Sequence, residues 1–314
     1  MMKGDKSSRF VLWVLLLVTA PGWAQWGPHK VIQLSSKGGE TQLAAKFQMV
    51  TESWNRAFGI LPLRAVLCPY LVYMPEKNRV LMLASGDYPY NALVLWSDDR
   101  GRTWSAAKWV HVDASGRPDT GMGVGLTYLG KGHVFFQANG GRWSSHDYGE
   151  SWEGPVPVPK ASNGRDWGEW DPLLVDKDPK SGKVVRLMSY GSDNLQPDGH
   201  FQGYIRFSSD EGATWSKDIK VPEMYAVNEV AFVRAKNGDI VAACRTDNPE
   251  RFKKEIDHYG GLSVSISRDN GYTWSKLQQL YEWGRHHPSM VLLRNSNIVM
   301  TYVVRKGYPD TDDG

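Results

Sequence analysis

The chain has 314 residues, 37 Lys and Arg against 34 Asp and Glu for a formal net charge of +3, and a heavy aromatic load of 14 Trp and 14 Tyr. Its basic residues are scattered among acidic ones and form no stripe, which argues against a nucleic-acid partner. Two cysteines, Cys68 and Cys244, are too few for a disulfide framework, and both are expected as buried thiols.

Taken in chain order, residues 1–24 read as a secretory signal peptide. Lys3, Lys6 and Arg9 form a basic start, Phe10 to Ala20 an apolar run, and Gly22-Trp23-Ala24 puts small residues at a cleavage point. The apolar run is well short of the roughly 20 residues that span a bilayer. The mature protein is therefore expected to be secreted or periplasmic, with no membrane insertion after cleavage, and residues 25–314 to form one all-β domain.

The first strand pair opens at Leu67-Cys68-Pro69-Tyr70-Leu71-Val72 and turns at Glu76-Lys77-Asn78-Arg79, with Asp87 after its second strand. Four copies of S-x-D-x-G-x-[ST]-W then punctuate the chain, at Ser97–Trp104, Ser145–Trp152, Ser208–Trp215 and Ser267–Trp274. Their spacing of 48 to 63 residues suits one four-stranded sheet per repeat. In each copy the Asp can accept backbone N–H groups, the Gly can supply positive φ, and the Trp is an anchor. The glycines of Thr120-Gly121-Met122-Gly123-Val124-Gly125 precede neither a helix nor a Lys-Ser/Thr pair, so they read as a strand running close to others and not as a phosphate loop.

A longer repeat lies between the boxes. Trp170-Asp171-Pro172, Asn228-Glu229-Val230 and His286-His287-Pro288 each open an apolar strand, a Gly or Asn turn and a second strand. Asp171, Glu229 and His287 are 58 residues apart in turn, which gives them one position in three sheets. If the sheets are propeller blades, that position is the channel mouth, where two carboxyl groups and an imidazole converge.

The four boxes resemble the Asp-boxes of the sialidase (BNR-repeat) superfamily, and the likeness runs from about Leu67 to Arg305. The resemblance implies a six-bladed β-propeller with the boxes remote from the active site. About five blades are supplied, so it also implies truncation at the C-terminus. Sialidases grip the substrate carboxylate with an arginine triad, use a Tyr nucleophile activated by Glu, and an Asp acid/base. By that resemblance Glu229 is the activating carboxylate, Arg245 the second triad arginine and Asp87 a candidate acid/base. Leu67 stands where the first triad arginine belongs, with Arg64 three residues earlier as its candidate substitute. His287 stands where Tyr is common, which leaves the nucleophile unidentified. Arg285, Arg305 and Arg142 are further candidate clamps for an acidic sugar, with His286 beside them.

The implied activity is removal of a terminal sialic or related acidic sugar from a glycan. Two alternatives stay open: a hydrolase or lyase for uronic sugars with His287 as base, and a non-catalytic carbohydrate-binding propeller. Trp54, Trp143, Trp167, Trp170 and Trp283 suit either sugar stacking or packing between blades. No cofactor is expected. No metal is expected either: adjacent His286 and His287 should face opposite sides of a strand, His258 adds little, and no Asp spacing suits Ca2+.

Overall fold

In the computed structural model, which describes residues 15–17, 66–86, 90–193, 196–255 and 257–305, each Asp-box links the third and fourth strands of an antiparallel sheet. The first blade comprises Val66–Met74, Arg79–Gly86, Asn91–Ser97 and Lys108–Trp109. The second comprises Val124–Gly130, His133–Ala138, Gly141–Ser145 and Glu153–Pro157, and the third Leu174–Lys177, Val184–Asp193, Gln202–Ser208 and Ile219–Tyr225. The fourth holds Val227–Arg234, Ile240–Thr246, Gly261–Ser267 and Gln278–Tyr281. A fifth sheet pairs Arg285–Leu292 with Ile298–Val304, and Leu15–Leu17 runs antiparallel along Ile298 to Met300. The six blades that the resemblance implies are not all found among the described residues, which form these five sheets, and the cleavage point expected after residue 24 lies outside them. Among those described, no helix is long and apolar enough to cross a membrane.

This is a propeller arrangement, and its core lies between the blades. Second strands are buried on both faces: Leu81 and Leu83 point one way, Met82 and Ala84 the other, and all four are buried. Met74, Leu83 and Val94 of the first blade pack with Leu126, Val134 and Phe136 of the second. Met188, Ile205 and Phe207 of the third pack with Val230, Ala242 and Trp274 of the fourth. First strands of neighbouring blades also touch, Val66–Met74 against Val124–Gly130 and Val227–Arg234 against Arg285–Leu292, so they line the axis.

The box chemistry is the same in every copy. Asp99 accepts hydrogen bonds from the Thr103 N–H at 2.8 Å and the Ser97 hydroxyl at 2.7 Å, and Gly101 N–H donates to Ser97 Oγ at 2.7 Å. Asp147, Asp210 and Asp269 repeat this pattern. In the second, third and fourth boxes the glycine also abuts the preceding blade: a Cβ on Gly149 would lie 2.7 Å from Leu81, and one on Gly271 2.7 Å from Met188 Sδ. Only glycine meets both this contact and the positive φ, +85° and +93° respectively. Gly125 is explained in the same way, since a Cβ there would lie 3.1 Å from the Asp171 carbonyl oxygen. Turns at Asn78, Gly182, Gly238 and Ser296 join first strands to second strands, each with positive φ at that residue.

Candidate active site

The first strand of a blade does not pair evenly with the second. In the first, second, fourth and fifth sheets the register slips near the strand start, between Leu67 and Tyr70, Val124 and Thr127, Val227 and Val230, and His286 and Ser289. Such bulges re-aim side chains. Cys68 and His287 sit in two of them with φ of 52° and 51°, in the left-handed region that non-glycine residues seldom adopt.

Glu229 is the centre of the resulting cluster. One of its carboxylate oxygens accepts from Arg245 at 2.8 Å and the other lies 3.1 Å from Nδ1 of His287. Glu229 and Arg245 are buried at 6% and 5% exposure, whereas the His287 side chain is 35% exposed. The fully buried His286 ring is 5.0 Å from that of His287. Both imidazoles thus approach one carboxylate, which corrects the expectation that adjacent histidines face opposite sides of the strand. The left-handed bulge at His287 breaks the alternation on which that expectation rests.

Asp171 belongs to the same cluster. Its carboxylate caps the neighbouring blade by accepting the Val230 N–H at 2.7 Å. Burial, then the charge of Glu229, push its pKa up to about 7 against the pull of the Val230 N–H and Arg245. Asp171 is therefore largely protonated below neutrality, while Glu229 is paired with a guanidinium. Two carboxyl groups in one site thus sit in opposite environments.

Sequence reasoning missed three groups here. Cys68 is half-buried and not fully buried as expected; burial and the Glu229 charge raise its thiol pKa while Arg305 lowers it. The signal was present, because Leu67-Cys68-Pro69 puts Cys68 at the repeat position of Asp171, Glu229 and His287. Tyr70 also feels Asp171, Cys68 and Glu229; its hydroxyl donates to the Trp170 carbonyl at 3.0 Å, and burial first holds its pKa well above the phenol range. Tyr190, in the same field, donates to the Val227 carbonyl at 2.9 Å and is likewise raised by burial. Neither is poised as a nucleophile.

The remaining candidates divide. Arg142 is corrected: its guanidinium meets Glu169 at 3.3 Å and the Gly212 carbonyl at 3.2 Å and lies over Phe135 and Trp215, so it packs the second blade on the third and does not join Glu229. Arg285 lies 5.3 Å over the Tyr281 ring. Arg305 is half-buried, and its charge lowers the Cys68 thiol pKa against the effect of burial. Arg64 and Asp87 lie outside the described residues, as does Trp54. Of the other tryptophans, Trp143 and Trp167 are buried, Trp283 packs with Phe252 and Tyr259, and Trp170 is 46% exposed beside Asp171.

Comparison with solved structures supports the fold. The chain is similar to a protein of unknown function from Dyadobacter fermentans DSM 18053, with 18% identity over 76% of this chain and 75% of that one and a TM-score of 0.54. It is similar to the Hadza microbial sialidase Hz136, with 17% identity and a TM-score of 0.54 over 80% of this chain but only 54% of that one. It also resembles an endo-arabinase from Bacteroides thetaiotaomicron VPI-5482, with 12% identity over 78% of this chain and 90% of that one and a TM-score of 0.52. No curated protein matches the sequence significantly. The profile of the BNR repeat-like domain matches residues 141–308, more than half of the chain and three of its four boxes in full, and the protein belongs to that family.

Proposed function

We propose that the protein is a secreted or periplasmic glycosidase-type enzyme that removes a terminal acidic sugar, of the sialic or uronic kind, from a glycan. The observation that carries this reading is the Glu229 carboxylate held between Arg245 at 2.8 Å and His287 at 3.1 Å, with Asp171 raised beside it. Asp171, protonated near neutral pH, gives its proton to the glycosidic oxygen as the anomeric C–O bond breaks. Glu229, assisted by His287, takes a proton from the water whose oxygen bonds to the anomeric carbon. Solvent exchange then returns the proton to Asp171. A guanidinium has five N–H donors, so Arg245 keeps some for the substrate carboxylate after binding Glu229, and Arg305 supplies a second clamp. Exposed Trp170 offers a stacking face. The sialidase and arabinase likenesses support glycan chemistry without choosing the sugar.

A lyase is the second reading, favoured by the partly exposed imidazole of His287 and by the engagement of Tyr70 and Tyr190 elsewhere. His287 would remove the proton beside the sugar carboxylate while Asp171 protonates the leaving oxygen, with a C=C bond formed and no water consumed. Turnover of 4-methylumbelliferyl α-sialoside, p-nitrophenyl glucuronide and p-nitrophenyl arabinofuranoside by the wild type and Arg245→Ala tests the proposal. Release from an acidic sugar, lost in Arg245→Ala, supports hydrolysis. An ultraviolet-absorbing unsaturated product from a uronate oligosaccharide supports the lyase. Preference for the neutral arabinoside refutes the acidic-sugar assignment, and turnover of none of them leaves a carbohydrate-binding propeller.

A further inference from the structure

The bulge that turns His287 has a second chemical result. One ligand atom from each of Glu229, His286 and His287 lies within 4.8 Å of the other two. His258, the third histidine considered from sequence, is not in this group. We propose that Glu229, His286 and His287 form a binding site for a divalent transition-metal ion, and that Zn2+ is the ion their donor set suits.

Two imidazole nitrogens and a carboxylate oxygen are ordinary Zn2+ donors, and three protein ligands leave a fourth position for water or a substrate oxygen. Metal–ligand bonds of about 2.0–2.1 Å put neighbouring ligands in a tetrahedron roughly 3.3 Å apart, close to the 3.1 Å between His287 Nδ1 and Glu229. Rotation of one imidazole closes the wider separations. Burial suits the site: His286 is 1% and Glu229 6% exposed, so the ligands are held by packing, while the 35% exposed His287 side chain opens a route for the ion. Arg245 binds the carboxylate oxygen that His287 does not face. It therefore orients the ligand as outer-shell partners commonly do, without occupying the position of the ion. Backbone geometry accounts for the pairing, since an unbroken strand would send one of the two histidines to the far face. Occupancy by Zn2+ takes Glu229 and His287 out of proton transfer, so the ion inhibits any turnover that uses them.

The test is direct binding, which does not depend on the proposed activity. The half-buried His133 and the exposed His146, whose rings stack at 4.2 Å, are a competing source of metal affinity. Untagged full-length protein carrying His133→Ala and His146→Ala is stripped with EDTA, dialysed, and titrated with ZnCl2 by calorimetry. One Zn2+ per chain is expected, with His287→Ala and, separately, His286→Ala weakening it at least about tenfold, or about 1.4 kcal/mol. His287 is partly exposed, so its variant remains informative if His286→Ala fails to fold. Absence of binding in the background protein, or affinity and stoichiometry unchanged by His287→Ala, overturns the proposal.

Discussion

Replacing Arg245 by Met leaves the Glu229 carboxylate buried without its guanidinium. The two side chains are only 6% and 8% exposed and meet at 2.8 Å. Breaking such a pair from one side costs about 3–5 kcal/mol, because a charge stays buried without compensation. The imidazole of His287 still lies 3.1 Å from the other carboxylate oxygen and, when protonated, offsets part of the charge, which places the expected loss at the lower end, about 3 kcal/mol. For a domain of this size that corresponds to a Tm lowered by roughly 5 °C. Calorimetric thermal unfolding at pH 7.5 of the wild type, Arg245→Met, Glu229→Gln and the double variant measures it. The double variant should recover most of the loss, since neither charge remains, and the cycle should yield a coupling of about 2 kcal/mol. A single-variant shift below about 2 °C, or additive effects in the double variant, would refute the claim that the pair is buried and interdependent.

Asp171 gives a pH prediction of definite sign. Its folded pKa of about 7 exceeds the usual ~3.9 of an unfolded chain, so between these values the native state holds a proton that the unfolded state has lost. Stability should therefore fall as pH rises from about 4 to 7, and Asp171→Asn, whose amide oxygen can still accept the Val230 N–H, should flatten that decline; an unchanged denaturant-unfolding profile would contradict it. Gly271 and Gly238 both have φ of +93°, but a Cβ meets Met188 only at Gly271. Gly238→Ala should cost about 1 kcal/mol of strain and Gly271→Ala at least twice that, and equal urea midpoints would show that the contact between blades does not matter. Cys68 should react with a thiol reagent while buried Cys244 does not, and the rate should climb with pH because burial and Glu229 raise the thiol pKa. Mass spectrometry of the modified peptides decides between them, and modification of Cys244 first would be the contrary result.

Much of this was legible before any coordinates, for physical reasons. A box needs Ser, Asp and Gly at fixed offsets to satisfy its own turn, so four copies announce four sheets and place each third strand. The 58-residue interval then fixed Asp171, Glu229 and His287 at one level, and the latter two meet at 3.1 Å. What stayed hidden depends on backbone torsion and on tertiary choice among equivalent partners. Nothing in His286-His287-Pro288 reports the left-handed φ that sends both rings to one carboxylate. Arg142 is a candidate substrate clamp by residue type, because an arginine in the sequence carries no mark of whether Glu169 and two aromatic rings will enclose it. Cys68 was read as a buried thiol from residue type alone, although its place in the repeat already set it beside the charged groups.

The central claim is that Glu229 is the base of an acid–base site at the propeller axis. It is tested most directly by kcat/KM of Glu229→Gln against the wild type on whichever acidic glycoside turns over, with folding checked by unfolding midpoint. The amide oxygen of Gln keeps an acceptor for Arg245 but cannot take a proton, so kcat/KM should fall by about 10²–10⁴-fold with the protein still folded. A folded Glu229→Gln enzyme within a few-fold of the wild type would contradict the account and move the chemistry away from this carboxylate.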